Sequence, residues 1–251
     1  GPVLNTARGI ATSVNTAVSS FTGSFMTALK PQITKSYASN DSDYMMFLLE
    51  SGSRFSFYIL MLLAFPIILE TDYILSLWLI NYPLHTVSFV RLVLILSLLD
   101  VISNTLITVQ LATGKIKNYQ LAVGGVLLLN FPLSYICLKL AFPPESIYVI
   151  AILISIGCLI LRLFFLKSMI GLPILKFCYN VVVNVITVSL VAIFIPYIVH
   201  KIMGYGIERF IVVCTLSIMS SLASIFFIGC TKSERRIILT KIPVLNRKEH
   251  D

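Results

Sequence analysis

Apolar residues along the chain come in long blocks separated by short polar breaks. A helix needs roughly 20 apolar residues to cross about 30 Å of hydrocarbon. Five blocks reach that length, at about 86–112, 119–142, 146–166, 177–199 and 208–230. A sixth begins at Phe55, but its unbroken run ends at Leu69. It spans only by continuing past Glu70 and Asp72 to about residue 80, with Pro66 as a kink and Trp78 and Tyr82 at the interface. The expected fold is therefore an all-α integral membrane bundle.

Residues 4–30 are more polar, yet their pattern is periodic. At 100° per residue, Arg8, Thr12, Asn15, Ser19, Thr22, Met26 and Lys30 fall near one line. Ile10, Val14, Ala17, Phe21, Phe25 and Ala28 fall on the other side. Two readings are open: a helix lying flat in the interface, or a spanning helix whose polar side faces a water-filled cavity. Small groups such as Ser, Thr and Asn suit the second, which makes seven spanning helices. Arg8 is then expected near the outer mouth or in water, because a charge at the bilayer centre costs at least ~2.5–3.5 kcal/mol.

Composition agrees with this reading: 57 % of the 251 residues are hydrophobic and 12 % charged, with a mean hydropathy of +0.94. These values exclude a soluble globular domain, a disordered chain and a nucleic-acid-binding protein. The net charge of +8 comes from 19 basic residues, most of them in alternate breaks. Segment 30–54 carries Lys30, Lys35 and Arg54, and 113–118 carries Lys115 and Lys117. Arg162, Lys167 and Lys176 form the next group, and a basic tail over 231–251 the last. Breaks 81–86 and 142–146 have no Lys or Arg, while 200–209 has Lys201 and Arg209, offset in part by Glu208. The positive-inside rule then makes the tail and the 30–54 segment cytoplasmic. The tail would also attract anionic membrane lipids. The chain opens at Gly1-Pro2 without an initiator Met or a basic n-region, so a fragment without a signal peptide is expected.

Polar groups inside the spans are the candidate chemistry. Ser97, Asp100, Asn104 and Thr108 form a second stripe, with Arg91 on another side. Asp100 lies mid-span and needs a cation, water or a proton; it is either a structural pair or a candidate for ion coupling. Arg91 either snorkels to headgroups or faces a ligand. Arg162 is expected to snorkel, Asn130 to bond a carbonyl freed by Pro132, and Asn180 and Asn184 to join helices. Glu70 and Asp72 read as a solvated rim. The five cysteines, three histidines and the absence of GxSxG, P-loop or GxGxxG motifs give no metal, cofactor or catalytic pattern, so no enzyme is expected.

The opening stretch GPVLNTARGIATSVNTAVSSFTGSFMTALKPQITKSYAS resembles the bacterial polysaccharide-biosynthesis flippases, the Wzx-like branch of the MATE/MOP exporter superfamily. LETDYILSLWL, LATGKIKNYQLAVGG and PLSYICLKLAFPPES resemble later segments of that family in the same order, and the likeness runs to about residue 236. It implies helices eight to fourteen of a fourteen-helix fold, whose missing N-terminal half is the partner for alternating access in the bacterial inner membrane. It further implies a polyprenyl-diphosphate-linked oligosaccharide as cargo, with Arg8, Lys30 and Arg91 as cations for the diphosphate. Asn15, Ser19 and Asn104 would then meet sugar hydroxyls. A cation-coupled drug or metabolite exporter is the alternative; it favours acidic and aromatic cavity walls. A seven-helix receptor or scaffold fits the helix number alone.

Overall fold

A computed structural model describes residues 1–241, except the side chains of 237–241; the remainder of the basic tail lies outside the described residues. Among the described residues the chain is all-helical. Six helices are long and apolar enough to cross a membrane: Ser42–Leu69, Thr86–Ala112, Lys117–Lys139, Ser146–Ile170, Ile174–Ile202 and Ile207–Gly229. The chain is a multi-pass membrane helical bundle. A further helix, α1 (Pro2–Ala38), has 37 residues and so runs about 55 Å, ample for a crossing. Its hydroxyl-rich composition keeps it outside the apolar six.

Small residues let the first helices approach closely. α1 packs on α2 (Ser42–Leu69) and on α4 (Thr86–Ala112), and α3 (Thr71–Trp78) is a short turn between the latter two. Gly52 marks the crossing: a Cβ there would collide with Leu29 of α1 and crowd Thr105 of α4. α2 starts at Ser42, earlier than the expected start at Phe55. Only 39–41 separate it from α1, with Asn40 at φ +55° and Asp41 accepting from the Tyr44 N–H as N-cap. The 30–54 segment is thus a helical hairpin rather than a loop.

The fourth block is broken. α5 (Lys117–Leu128) and α6 (Asn130–Lys139) meet where Pro132 removes an N–H from the ladder. The side-chain oxygen of Asn130 accepts from Ser134, which leaves its amide to donate. Gly124 and Gly125 face open space, so they bring no helix close. α7 (Ser146–Ile170) packs on α4 and on α5–α6.

The last two spans each contain a π-helical turn. α8 (Ile174–Phe177) enters one at Cys178–Val183 before α9 (Asn184–Ile202); α10 (Ile207–Ser224) ends in another at Ile225–Gly229. α9 and α10 pack together, with Ser217 and Ser221 fully buried on α10 as small contact residues. α11 (Lys232–Lys241) follows.

Connections 39–41, 113–116 and 171–173 gather with α11 at one end, where Lys35, Lys115, Lys117, Lys167, Lys176 and Lys232 lie on adjoining helices or turns. Connections 79–85, 140–145 and 203–206 gather at the other and hold no Lys or Arg. We call these the basic end and the histidine end, the second for His85 and His200.

Candidate functional site

Buried residues of α1 run Ala7, Ala11, Val18, Thr22, Met26, Ile33 and Ser36. The polar line read from the sequence therefore does not face open space as a unit. Thr22 and Met26 are in the seam, Asn15 and Ser19 are half-buried at its edge, and Arg8, Thr12 and Lys30 are exposed. Close packing on α2 and α4 selects the small residues, and this rotates the helix relative to its own polarity pattern. Ala17, Phe21 and Ala28, expected on the apolar side, are exposed.

The open face of α1 carries Gly9, Ser13, Thr16, Ser20, Gly23 and Thr27, without a large apolar residue among them. Its hydroxyls donate to their own helix: Ser13 to Gly9 O, Thr16 to Thr12 O, Ser20 to Ala17 O and Thr27 to Gly23 O, at 2.7–3.1 Å. Each hydroxyl has one proton and two lone pairs, so the face shows acceptors outward.

α4 sets the floor beside it. Ser97 donates to Asn15 of α1 at 2.6 Å, and one turn later Asp100 accepts from Ser155 of α7. Asp100 and Asn104 are exposed, on the strip of α4 that runs between its contacts with α1 and with α7. Nearby, the Arg162 side chain is buried, in contrast to the expected snorkelling. Its Nε donates to the Tyr119 hydroxyl and its Nη1 to Ser103, each at 3.1 Å. At the histidine end the strip opens into a cleft of about 340 Å³ lined by Arg8, Phe89, Leu96, Asn130 and Ala151, among others. The structure thus brings Arg8, Asn15, Ser19, Asp100 and Asn104 to one side of the bundle. Lys30 is exposed farther along α1, toward the basic end.

Arg91 is not with them. Its Nε donates to Ile68 O at 3.0 Å and its Nη2 to Asp72 at 2.8 Å, pinning α4 to the α2–α3 junction. A neutralised, tethered guanidinium is a weaker ligand for a diphosphate than a free one. Glu70 and Asp72 are both paired, and Glu70 is fully buried: it accepts from His200 Nδ1 at 2.8 Å and Arg209 Nη2 at 2.9 Å. His85 Nδ1 lies 2.6 Å from Glu145 Oε1 at the same end. Burial pushes the Glu145 carboxyl up. The His85 bond, the residue's own N–H, the imidazole charge and Ser88 outweigh it, so the carboxyl sits below its ordinary range.

Sequence reading missed a second polar cluster at the basic end. Arg54 and Glu234 form a buried ion pair at 2.6 Å, and Arg54 also donates to Asn180 O at 3.2 Å. Asn180 donates to Glu50 at 2.9 Å, while the Tyr58 hydroxyl donates to the side-chain oxygen of Asn184. Both π-helical turns border this cluster. Such turns displace backbone carbonyls from the regular ladder, and here side chains take up several: Arg54 on Asn180 O, and Arg235 on Phe227 O at 2.8 Å. Gly229 is required there, since a Cβ would stand 2.7 Å from the Tyr58 oxygen. The sequence signal was Asn180 and Asn184 on one face, read correctly as helix-joining groups, but nothing local named their partners.

Among the described residues no group of three or more His, Cys, Asp or Glu is placed to hold a metal ion, and all five cysteines are free. No family model, curated protein or solved structure matches the chain.

Proposed function

We propose that this chain is one bundle of a transporter that moves a lipid-linked oligosaccharide across the bacterial inner membrane by alternating access, without covalent chemistry. The observation that carries the reading is the open face of α1: a long strip of hydroxyl acceptors in a molecule whose other exposed helix faces are mostly apolar. Sugars present many O–H donors, and that strip can receive them while Asn104 supplies a side-chain amide alongside. Arg8 and Lys30 are the cations left for a diphosphate, since Arg91 is held by Asp72. The facing wall of the cavity belongs to an N-terminal half outside this chain, as in the fourteen-helix fold it resembles.

The separation of the two ends supports the orientation. Basic residues crowd the end holding α11; at the other, Arg209 and Arg91 are neutralised by Glu70 and Asp72, which leaves Arg8, Lys139 and Lys201. That asymmetry favours a cytoplasmic C-terminus.

Exposed Asp100 favours a second reading, a cation-coupled drug or metabolite exporter on the same fold. Two variants decide between them in the full-length protein, at matched expression. Under the first reading Arg8→Ala with Lys30→Ala abolishes surface-glycan assembly. Normal glycan in that double variant, with a drug-resistance phenotype lost in Asp100→Asn, establishes the exporter instead.

A further inference from the structure

α6 is the least packed helix of the bundle. None of its residues is buried, and only 6 % of the apolar 18-residue stretch of the Lys117–Lys139 span is buried. Between α6 and the first turns of α1 lies a cleft of about 440 Å³, adjoining the 340 Å³ cleft on the α4–α7 side. The two share Arg8, Asn130, Leu138 and Ile147. Their combined size falls in the range of ligand-binding clefts, about 300–1,000 Å³. Phe131 and Leu128 on the rim are 81 % and 75 % exposed, so in a bilayer the cleft opens sideways to lipid.

The chemistry of the lining is unbalanced. Most of it is apolar, including Leu127, Leu128, Phe131 and Leu138, yet Arg8 projects into it. Among the described residues the Arg8 guanidinium makes no hydrogen bond or ion pair. Beside it Asn130 uses its oxygen to accept from Ser134, which leaves its amide N–H groups to donate. A free cation beside apolar walls calls for an anion or water. A small anion would leave the apolar walls wetted, and a neutral hydrocarbon would leave the guanidinium unpaired. A lipid with a phosphate headgroup answers both demands.

We propose that the Arg8–Asn130 cleft is a lateral binding site for an anionic bilayer lipid. Arg8 and the Asn130 amide hold its phosphate, and the first part of its chain lies against Leu138, Ile147 and Phe131. This goes beyond the transport reading and does not depend on it, since any phosphate-bearing lipid of the membrane meets the chemistry. Arg8 would then meet lipid phosphate from the side of the bundle, whatever the cavity carries.

The test is lipid retention by the purified chain, read by native mass spectrometry after exchange into equal amounts of phosphatidylglycerol and phosphatidylcholine with matched chains. The expected result is about tenfold preference for the anionic lipid, the scale of one charge-assisted hydrogen-bond set. Arg8→Gln should abolish the preference, and thermal melting should show the fold intact. Ile147→Trp, which fills the cleft, should lower retention of both lipids. Lys115→Gln with Lys117→Gln, at the basic end, should leave the preference unchanged, and millimolar inorganic phosphate should not displace the lipid. An unchanged preference in Arg8→Gln overturns the proposal. So does a preference that follows Lys115 and Lys117, or displacement by phosphate, which would mark an anion site without a lipid. Failure here leaves the glycan experiment untouched, so the two readings fall separately.

Discussion

On the side of the bundle built from α2, α9 and α10, the buried charges of Arg54 and Glu70 are answered in kind. Arg54 meets Glu234, and Glu70 meets both His200 and Arg209. On the side built from α1, α4 and α6, Arg8, Lys30 and Asp100 are exposed, and none of them forms an ion pair among the described residues. Both sides put charge into a membrane bundle, where it is costly. The difference separates two uses of that charge. Groups that answer one another hold helices together, whereas groups left open are available to water or a ligand. Substitutions should therefore affect stability on the first side and ligand handling on the second.

The largest effect is expected at the Arg54–Glu234 pair. Both side chains are almost fully buried, at 6 % and 5 % exposure. Removing one partner leaves the other charged and unanswered, a loss of about 3–5 kcal/mol. Glu234→Ala should lower the melting temperature in detergent sharply, and Arg54→Met with Glu234→Leu should recover most of it. If Glu234→Ala melts like the unaltered chain, the paired side is not structural and the contrast fails.

A smaller effect sits at the histidine end, where His85 and Glu145 are both partly exposed. The carboxyl titrates below its ordinary value in the folded chain. The unfolded chain therefore binds more protons as acid is added, and the carboxylate's contribution is present at neutral pH. It is lost as pH falls from roughly 4.3, the ordinary glutamate value, through the lower folded value. Melting followed from pH 6 to pH 3 should show this acid-side loss, reduced in Glu145→Gln. An identical pH profile in the variant would remove Glu145 from the paired set.

How far this division was legible in the sequence follows from the range of the interactions. Apolar block length is local, so five of the apolar spans emerged near their observed positions, whereas the one expected from Phe55 to about residue 80 lies at Ser42–Leu69 and stops before Glu70. The alternation of basic and non-basic breaks also corresponds to the two ends of the bundle. Pairing is not local: Arg54 and Glu234 are 180 residues apart, and Glu70 and Arg209 are 139 apart. Hydropathy reads Glu70 as a rim residue because it carries no information about what stands opposite. The π-helical turns were invisible for the same reason, since their displaced carbonyls are compensated by side chains from other helices. On α1 the periodicity was real but its sense was not fixed. Polar Thr22 and apolar Met26 fit the same seam, and only the closeness of α2 and α4 decides which residues go inside.

That last point supplies the smallest effect on stability and the sharpest test of the contrast. Thr16, Ser20 and Thr27 are exposed, and their hydroxyls bond only within their own helix, at 2.9, 2.7 and 2.9 Å. Replacing all three with leucine removes no contact with another helix and slightly improves helix propensity. Surface changes of this kind stay within about 0.5 kcal/mol each. Thr22→Leu, one helix turn away but 4 % exposed against its neighbours, overpacks the seam and should cost about 1–3 kcal/mol. In the full-length protein the triple variant should melt normally and yet fail to support surface glycan, because it has turned an acceptor strip into one more lipid-like face. If instead it supports glycan fully, the strip meets no sugar, and the distinction between the two sides reduces to where the ion pairs lie.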